Sequence, residues 1–172
     1  PSFEGRPEIE SGTLRVIESF EDFYARDLRA VVGLAFALSG SRLGAEDLAQ
    51  DAFIAAYRKW SRISNYDNPG AWVRRVVANR AVSARRRAAV EAKAILRRSE
   101  RTIVPQLSVH NEHVWAEVRR LPKRQRQVVA LRYVEGLTHA EVATILNLSE
   151  PTVKTHLQRA SEKLATRLER SE

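Results

Sequence analysis

The sequence predicts an all-α protein made of two small helical domains joined by a flexible linker. Apolar residues recur at the 3.6-residue spacing of a helix through almost the whole chain, whereas the alternating apolar and polar runs typical of strands are missing. The chain has 172 residues, of which 44% are hydrophobic, so it can fill the core of one domain or of two small ones. Its 7 glycines and 6 prolines argue against a collagen-like or wholly disordered chain.

In the N-terminal half, the predicted helices span about residues 13–38 (a helix pair), 45–60 and 70–87. Ser39-Gly40-Ser41 separates the first from the second, and a polar loop from Ser61 to Pro69 separates the second from the third. Pro69 suits the first turn of the third helix, because proline lacks the N–H that a first turn leaves unpaired. The residues predicted to face the core are Phe20, Phe23, Tyr24, Leu28, Val31, Val32, Ala35, Leu48, Ala52, Phe53, Ala56, Trp60, Trp72, Val73, Val76, Val77 and Ala81.

Residues 102–108 are predicted to be a linker. Beyond it, four shorter helices are predicted over about 111–120, 123–134, 138–146 and 150–168. Thr138 and Glu141 match a capping box, and Ser149 is a good N-cap. The last two helices, joined by a tight turn at Asn147-Leu148, are a helix-turn-helix candidate. The apolar residues that can hold these two helices together are Ala140, Val142, Ala143, Leu146, Leu148, Val153 and Leu157.

Cysteine is absent, which excludes disulfides, thiol catalysis and thiolate zinc sites. The 4 histidines are dispersed and no glycine-rich phosphate loop is present, so we predict no metal, no cofactor and no enzymatic activity. The longest apolar stretch, residues 30–38, is much shorter than the roughly 20 residues of a membrane span. No secretory signal is visible at the start of the chain. We therefore expect a cytoplasmic protein without membrane insertion.

The positive charge is concentrated in one segment. The chain carries 29 Lys and Arg against 21 Asp and Glu, a net charge of +8, and residues 68–101 alone contain 10 basic and 2 acidic residues, also +8. An excess of this kind favours a polyanionic partner. The basic residues of the segment include Arg74, Arg75, Arg80 and the cluster Arg85, Arg86 and Arg87.

The second helix of the helix-turn-helix candidate carries side chains that suit DNA recognition. Short hydroxyls and long polar groups near a helix N-terminus can reach base edges, and basic groups beside them can bind phosphates. Any solvated helix face is also polar, so a plain exposed helix is the alternative. The apolar residues that fasten the two helices favour the DNA reading. The residues concerned are Thr152, Lys154, Thr155, Gln158 and Arg159.

Two further features have competing interpretations. Trp60, Tyr66 and Trp72 lie among basic and amide side chains, a combination that suits unpaired bases, but the tryptophans, Trp60 above all, also suit a core. The arginine cluster at 85–87 also suits a solvated helix end. The acidic stripe Glu46, Asp47 and Asp51 suits either a helix N-terminus or the docking of a basic protein surface. We favour docking, because DNA phosphates would repel such a stripe.

Two distant segments together resemble one family, the extracytoplasmic-function (ECF) sigma factors of bacterial RNA polymerase. Residues 45–58, AEDLAQDAFIAAYR, are similar to the family's polymerase-binding helix. Residues 68–81, NPGAWVRRVVANRA, are similar to its promoter-melting helix. In the C-terminal half, 121–122, 131–137, 152–154 and 159–160 resemble its second DNA-binding domain.

The resemblance implies a division of labour between a sigma region 2 domain, 13–98, and a sigma region 4 domain, 111–172. The first would bind core RNA polymerase, in its β and β′ subunits, through Asp47, Gln50, Asp51, Ile54 and Arg58. It would melt the minus-ten element and capture a flipped base through Ser64, Asn65, Tyr66, Asn68, Trp72, Arg74, Arg75, Asn79, Arg80, Arg85, Arg86 and Arg87. The second would read the minus-thirty-five element as duplex DNA through Thr138, Glu150, Thr152, Lys154, Thr155, His156, Gln158 and Arg159.

The resemblance further implies an anti-sigma factor as a partner and a place on the nucleoid within the holoenzyme. Residues 1–12 are predicted to be a tail and 99–110 the linker. One segment departs from the family: residues 149–157, SEPTVKTHL, resemble LuxR/NarL-type regulators, which bind palindromic operators. Those regulators carry a ligand-binding or receiver domain in front, for which the first hundred residues show neither strands nor a phosphoacceptor pattern. The N-terminal half therefore favours a sigma factor that directs transcription initiation.

Overall fold

The structure, a computed structural model, describes the backbone of residues 18–91 and 111–169 and the side chains of 18–81 and 111–169. Every regular element in these ranges is a helix, which confirms the all-α prediction. The helices are α1 (Phe20–Ser39), α2 (Arg42–Tyr57), α3 (Trp60–Ile63), α4 (Pro69–Glu91), α5 (Glu112–Arg119), α6 (Lys123–Tyr133), α7 (His139–Leu146) and α8 (Glu150–Glu169). Within the same ranges, no helix has both the length and the hydropathy of a membrane span. The predicted tail, 1–12, and linker, 99–110, lie outside the described residues.

Helices α1, α2 and α4 pack against one another around an aromatic core. The buried ring of Phe23 lies 4.8 Å from the ring of Trp60 and 5.7 Å from that of Phe53, centroid to centroid. Tyr24 meets Phe53 edge-on at 4.9 Å. Aromatic pairs at these separations add stabilisation beyond their buried area. Trp60, which is half-buried, therefore packs against the core of this domain.

The predicted helix pair over 13–38 is wrong within the part that the structure describes, because α1 is one continuous helix. It begins at Phe20, where the Ser19 side chain accepts a hydrogen bond from the backbone N–H of Asp22 at 3.1 Å. It ends at Gly40, whose φ of 74° is the left-handed conformation that glycine adopts readily at a helix C-terminus. The buried Gly33 is the one glycine within α1, and a lone glycine weakens a helix without ending it.

The structure also differs from the predicted bounds of the next two elements. Helix α2 begins at Arg42 rather than near residue 45, because the Ser41 side chain caps it by accepting from the N–H of Gly44 at 3.1 Å. Part of the predicted loop at 61–69 is helical, since α3 forms a turn that buries Ile63. Pro69 begins α4 as predicted, and the Asn68 carbonyl oxygen Oδ1 accepts from the N–H of Ala71 at 3.0 Å.

Helices α5 to α8 begin and end within one residue of their predicted bounds. The capping box is confirmed: the N–H of Glu141 donates to Thr138 Oγ1 at 3.2 Å, and the N–H of Thr138 donates to Glu141 Oε2 at 2.7 Å. Ser149 caps α8 as predicted. Asn147 makes the tight turn with φ 54°, a value that asparagine tolerates better than most residues. Ala140, predicted to be in the core, is exposed instead, because it lies on the solvent side of the first turn of α7.

The two domains pack on each other. Helices α5 and α6 lie against α1, and α7 lies against α4. Buried residues from both domains form one apolar cluster, with Val31 and Val77 from the first and Leu131 and Val142 from the second. This contact places the C-terminal domain over one face of α4.

Candidate protein and nucleic-acid interfaces

Helix α2 presents one exposed face that combines acidic and apolar side chains. Its members recur at three- and four-residue spacing, so they lie on one side of the helix. They are Asp47, Gln50, Asp51, Ile54 and Arg58, all exposed, and we call them the α2 face. The opposite side of α2 is buried in the core, which fixes the orientation of this face. The structure therefore brings together all five residues predicted to bind polymerase.

Two exposed apolar side chains stand out here, Ile54 of the α2 face and the neighbouring Tyr57. Ile54 is 49% exposed and Tyr57 is 63% exposed, whereas most aliphatic and aromatic side chains of the described domains are buried or half-buried. The ring of Tyr57 meets that of Phe20 at 5.0 Å, and together with Ile54 they line a shallow groove. The sequence reasoning missed Tyr57. An apolar centre with a charged rim is typical of a protein-binding surface.

The charge of the α2 face is only weakly compensated. Asp51 Oδ2 lies 3.7 Å from Arg80 Nη1, and both side chains are largely exposed. An exposed pair at this distance is worth little, since water screens both charges. The carboxylates of the α2 face thus remain able to attract a cationic surface.

The loop between α3 and α4 is held at both ends. Ile63 anchors its start in the core, and the Asn65 side chain donates from Nδ2 to the carbonyl oxygen of Ser61 at 2.7 Å. Asn68 caps α4 at its end. Ser64 and Tyr66 are half-buried between these anchors, and Tyr66 packs against the core. Loops held in this way on a rigid scaffold commonly carry binding residues.

Trp72 lies in the first turns of α4, close to this loop. It is half-buried, and the Lys59 ammonium lies 5.9 Å from the centre of its ring. A cation over an aromatic face is a favourable contact, and the same pairing supplies both a stacking surface and a charge for a nucleic-acid strand. The structure thus places Trp72 beside the loop, as the prediction requires.

The predicted nucleic-acid residues of α4 are Arg74, Arg75, Asn79 and Arg80, which we call the α4 arginine face. They lie on more than one side of α4: Arg74, Arg75 and Asn79 contact the C-terminal domain, whereas Arg80 lies toward α2. Arg74 and Arg75 donate hydrogen bonds to that domain, and Asn79 Oδ1 lies 3.4 Å from Gln127 Nε2. Arg80 is exposed apart from its distant contact with Asp51. The side chains of Arg85, Arg86 and Arg87 lie outside the described residues.

The helix-turn-helix presents the outer side of α8 to solvent. Glu150, Lys154, Thr155, Gln158 and Arg159 are exposed, whereas Thr152 and His156 are half-buried. Several of these polar groups have local partners. Thr155 Oγ1 donates to the carbonyl oxygen of Pro151 at 2.9 Å, and Gln158 Nε2 donates to Glu162 at 3.1 Å. Thr138, the other residue predicted to contact this DNA, is engaged in the capping box of α7. Lys154 and Arg159 keep their charges at the surface.

Three buried polar side chains that the sequence reasoning missed contact α4, one from α1 and two from the C-terminal domain. Asp27, Gln127 and Glu135 contact α4 or its arginines. The sequence could have identified one of them. Asp27 lies four residues after Phe23 and four before Val31, so it places a carboxylate within the buried stripe of α1. A charge in that position needs a buried partner.

His156 lies beside two arginines near the outer side of α8. Burial, and then the charges of Arg159 and Arg124, lower the pKa of His156 from its ordinary value of 6.5. The folded chain thus binds fewer protons at this site than the unfolded chain. The stability that neutral His156 contributes is complete above the ordinary pKa and is lost as the pH falls from that value toward the lowered one.

We therefore expect an NMR titration of the imidazole of His156 to give a midpoint below that of the same residue in the urea-unfolded chain. Duplex DNA is expected to raise the midpoint, because phosphates near Arg159 offset the positive charges that disfavour protonation. Equal midpoints in folded and unfolded chains would contradict the described environment. A midpoint insensitive to DNA would remove His156 from the DNA-binding surface.

Two models of known protein families together match most of the described residues. The model of Sigma-70 region 2 matches residues 23–90, and the model of Sigma-70 region 4 matches residues 112–164. The first range includes the α2 face and the α4 arginine face. The second includes α7, the turn and α8 as far as Leu164.

Individual relatives agree with these matches. The ECF RNA polymerase sigma factor SigE of Mycolicibacterium smegmatis is 27% identical over 166 residues, covering 90% of this chain and 63% of that protein. The ECF RNA polymerase sigma factor BldN of Streptomyces coelicolor is 29% identical over 182 residues, covering 93% of this chain and 68% of that protein. The chain thus spans less than two thirds of the length of the first relative and slightly more than two thirds of the length of the second.

A solved structure shows the same fold. It is the complex of the sigma factor RpoE with the anti-sigma factor NepR from Bartonella quintana, with a TM-score of 0.67, 24% identity and coverage of 87% of this chain and 96% of that chain. The alternative of a LuxR/NarL-type regulator is not supported, because a sigma region 2 match precedes the helix-turn-helix. The chain belongs to the sigma-70 family of RNA polymerase sigma factors, and its relatives there are ECF sigma factors.

Proposed function

We propose that this chain is a promoter-specificity subunit that binds core RNA polymerase and directs promoter recognition, DNA melting and transcription initiation. One observation carries the proposal. A single chain exposes an acidic and apolar face on α2 and a cationic helix-turn-helix face on α8, on two separate domains. It can therefore bind a protein and duplex DNA at the same time. The role is non-catalytic and belongs in the cytoplasm, on the nucleoid when the holoenzyme is bound there.

The α2 face is the proposed contact with the polymerase. Its carboxylates attract a basic surface, and Ile54 and Tyr57 supply apolar area at the centre. No nucleic acid competes for this face, because phosphates are repelled by Asp47 and Asp51. The β and β′ subunits of the core enzyme are the proposed partners.

The two DNA elements are divided between the domains. The exposed residues of α8 enter the major groove of the minus-thirty-five element, with Lys154 and Arg159 on phosphates and Thr155 and Gln158 toward base edges. The loop between α3 and α4, with Trp72, takes a base flipped from the minus-ten element. The α4 arginine face holds the strands at the edge of the melted region.

An anti-sigma factor is a further proposed partner. The structurally similar RpoE of Bartonella quintana was solved as a complex with the anti-sigma factor NepR. A protein that covers the α2 face of this chain would prevent binding to the polymerase without any change in the fold. The exposed Ile54 and Tyr57 supply the apolar contacts that such a partner needs.

Transcription from a library of random promoters tests the proposal, with purified core polymerase in the presence and absence of the full chain. We expect initiation that depends on the protein, from templates that share two motifs at a fixed spacing. Lys154→Ala and Arg159→Ala each remove a proposed phosphate contact, so they are expected to weaken occupancy of the upstream motif and to lower the salt dependence of binding. Neither variant should change binding to the core enzyme.

A different outcome of the same experiment would contradict the proposed function. If initiation does not depend on the protein, but the protein alone retains a palindromic duplex, the function proposed here is wrong and a regulator takes its place. A variant of Lys154 that loses polymerase binding would show that the division between the domains is misassigned.

A further inference from the structure

Asp27 is a buried carboxylate within α1. It lies in the stripe of this helix that packs against the core of the first domain. A carboxylate removed from water needs partners of opposite charge. Asp27 has two of them, Arg26 on its own helix and Arg74 on α4.

Both oxygens of the Asp27 carboxylate accept hydrogen bonds. Oδ1 accepts from Arg74 Nη1 at 2.7 Å, and Oδ2 accepts from Arg26 Nε at 2.9 Å. The side chain of Arg26 also pairs with Glu18 and is 56% exposed, whereas that of Arg74 is 13% exposed and that of Asp27 is 10% exposed. The contact between Asp27 and Arg74 is therefore the shielded one, because buried pairs are screened less than exposed pairs.

The guanidinium of Arg74 is committed to carboxylates. Its Nε donates to Glu135 Oε2 of the C-terminal domain at 2.9 Å, in addition to the bond from Nη1 to Asp27. Burial acts to lower the pKa of Arg74, but Glu135 and Asp27 outweigh burial and raise the pKa, so the side chain keeps its charge. Asp27 and Arg74 belong to the same domain, so their contact does not depend on where the C-terminal domain lies.

Gly70 leaves room for this ion pair in the first turn of α4. A Cβ atom at position 70 would lie 2.7 Å from Arg74 Nη1 and 3.2 Å from Asp27 Oδ1, both shorter than ordinary van der Waals contact. It would also lie 3.3 Å from Asn68 Oδ1, the oxygen that caps α4. The ion pair and the cap thus meet at a position where the chain has no Cβ.

The ion pair fastens the first turns of α4 to α1. Trp72 lies two residues before Arg74, which is about 200° around a helix, so the two side chains leave α4 in different directions. The loop between α3 and α4 ends at Asn68, directly before the helix. A contact that fixes the rotation of these turns therefore also fixes where Trp72 and the loop are presented.

We propose that Asp27 is a positioning residue for promoter melting: through Arg74 it holds the first turns of α4 so that Trp72 and the loop between α3 and α4 take the flipped base of the minus-ten element. The inference rests on the proposed function, which assigns that base to this loop. It also assigns Arg74 to the support of α4 rather than to the strand. The other three members of the α4 arginine face are exposed and remain available for strand contact.

A direct DNA contact by Arg74 predicts an effect of the opposite sign. If Arg74 bound strand phosphates, Asp27 would compete with them for the guanidinium, because carboxylates and phosphates both form charge-assisted hydrogen bonds with it. Removal of the Asp27 charge would then strengthen strand binding. If Asp27 positions α4 through Arg74, the same removal weakens strand binding.

The test uses holoenzyme assembled from core polymerase and the full chain, on a duplex promoter recovered from the random library. Permanganate reactivity of unpaired thymines measures melting of the minus-ten element. A fluorescent single strand that carries the same minus-ten motif measures strand binding. Asp27→Asn is compared with Glu21→Gln, which removes the same charge at an exposed position of the same helix.

We expect Asp27→Asn to weaken strand binding by about tenfold, the scale of a lost hydrogen bond between charged groups, and to shift promoter complexes from open to closed by a similar factor. Glu21→Gln should behave as the parent chain. Affinity for core polymerase and occupancy of the minus-thirty-five element should stay unchanged in both variants, because the α2 face and α8 are not altered.

Gly70→Ala tests the geometry of the pair without removing a charge. The added Cβ is expected to push Arg74 Nη1, the far end of a flexible side chain, away from Asp27. Helix α4 should remain formed, since alanine favours a helix more than glycine does. We expect melting to fall while the circular dichroism spectrum stays that of the parent chain. This variant also carries the test if Asp27→Asn does not fold.

A double variant tests whether Asp27 acts through Arg74. Residues that act as one unit do not have additive effects. We therefore expect Asp27→Asn combined with Arg74→Gln to melt the promoter no worse than the more impaired of the two single variants.

Four results would overturn the positioning role. They are tighter strand binding by Asp27→Asn, parental melting by a folded Asp27→Asn or Gly70→Ala chain, losses that multiply in the double variant, and failure of both Asp27→Asn and Gly70→Ala to fold. Any of them, alongside a parent chain that initiates transcription with core polymerase, rejects the positioning role alone. Failure of the parent chain to initiate rejects the proposed function instead.

Discussion

A chain that carries Asp47→Arg is expected to lose binding to core RNA polymerase by about 100-fold or more. The substitution puts a positive charge on the α2 face, opposite the basic surface proposed to meet it, and like charges across an interface cost several kcal/mol. Each 1.4 kcal/mol or so is a tenfold loss of affinity. Asp47 is exposed, so the fold is expected to tolerate the change. Fluorescence anisotropy of the labelled chain with the core enzyme measures the loss.

Glu169→Arg is the matched control, because it makes the same change in charge at an exposed position on the other domain. It should bind the core enzyme as the parent chain does. Both variants should keep the parent circular dichroism spectrum and duplex binding. A loss of affinity equal in the two variants would assign the effect to net charge, and the α2 face would not be the polymerase contact.

Phe53→Ala is expected to lower the free energy of unfolding by about 4 kcal/mol, the usual cost of removing a buried phenylalanine side chain. Its ring is buried between α1 and α2, in contact with Phe23 and Tyr24. The cavity left behind cannot be filled by neighbours that are already packed ring against ring. Urea unfolding followed by circular dichroism measures the difference.

The neighbouring residue supplies the control. Ile54 is 49% exposed at the surface of α2, so Ile54→Ala should change the free energy of unfolding by less than about 1 kcal/mol. Ile54→Ala should nevertheless weaken binding to the core enzyme while the chain stays folded. Phe53→Ala is expected to affect that binding only through its effect on folding. Equal destabilisation by the two substitutions would contradict the orientation of α2 described here.

The elements that the sequence predicted well are governed by neighbouring residues. The capping box of Thr138 with Glu141 and the cap at Ser149 act within one helical turn, so their spacing in the sequence is enough to identify them. The exposed α2 face follows from the periodicity of the buried residues on the other side of the same helix. The resemblance to a known family added the roles of these surfaces, which periodicity alone does not supply.

The features that escaped prediction depend on residues far apart in the sequence. Glu135 contacts Arg74 across 61 residues, and Arg75 reaches Ile145 across 70. The residues next to each partner in the sequence carry no pattern that predicts these pairs. The positive charge of residues 68–101 indicates only that a polyanion is a suitable partner. The predicted helix pair over 13–38 was wrong within the described residues for a different reason: the pattern gave no position for a break, and the buried stripe of α1 runs from Phe23 to Leu38 in one helix.

The contacts of Arg74 and Arg75 with the C-terminal domain join residues far apart in the sequence, which has a consequence during synthesis. The helices of the first domain contact one another as soon as Glu91 has been made, and domains at the N-terminus generally fold first. The oxygens that hold Arg75 and Arg74 belong largely to residues made later, up to Ile145. In a nascent chain on the ribosome, Arg74 therefore has Asp27 of its own domain as a partner, while the contacts of Arg74 and Arg75 with the C-terminal domain form only in the last third of translation.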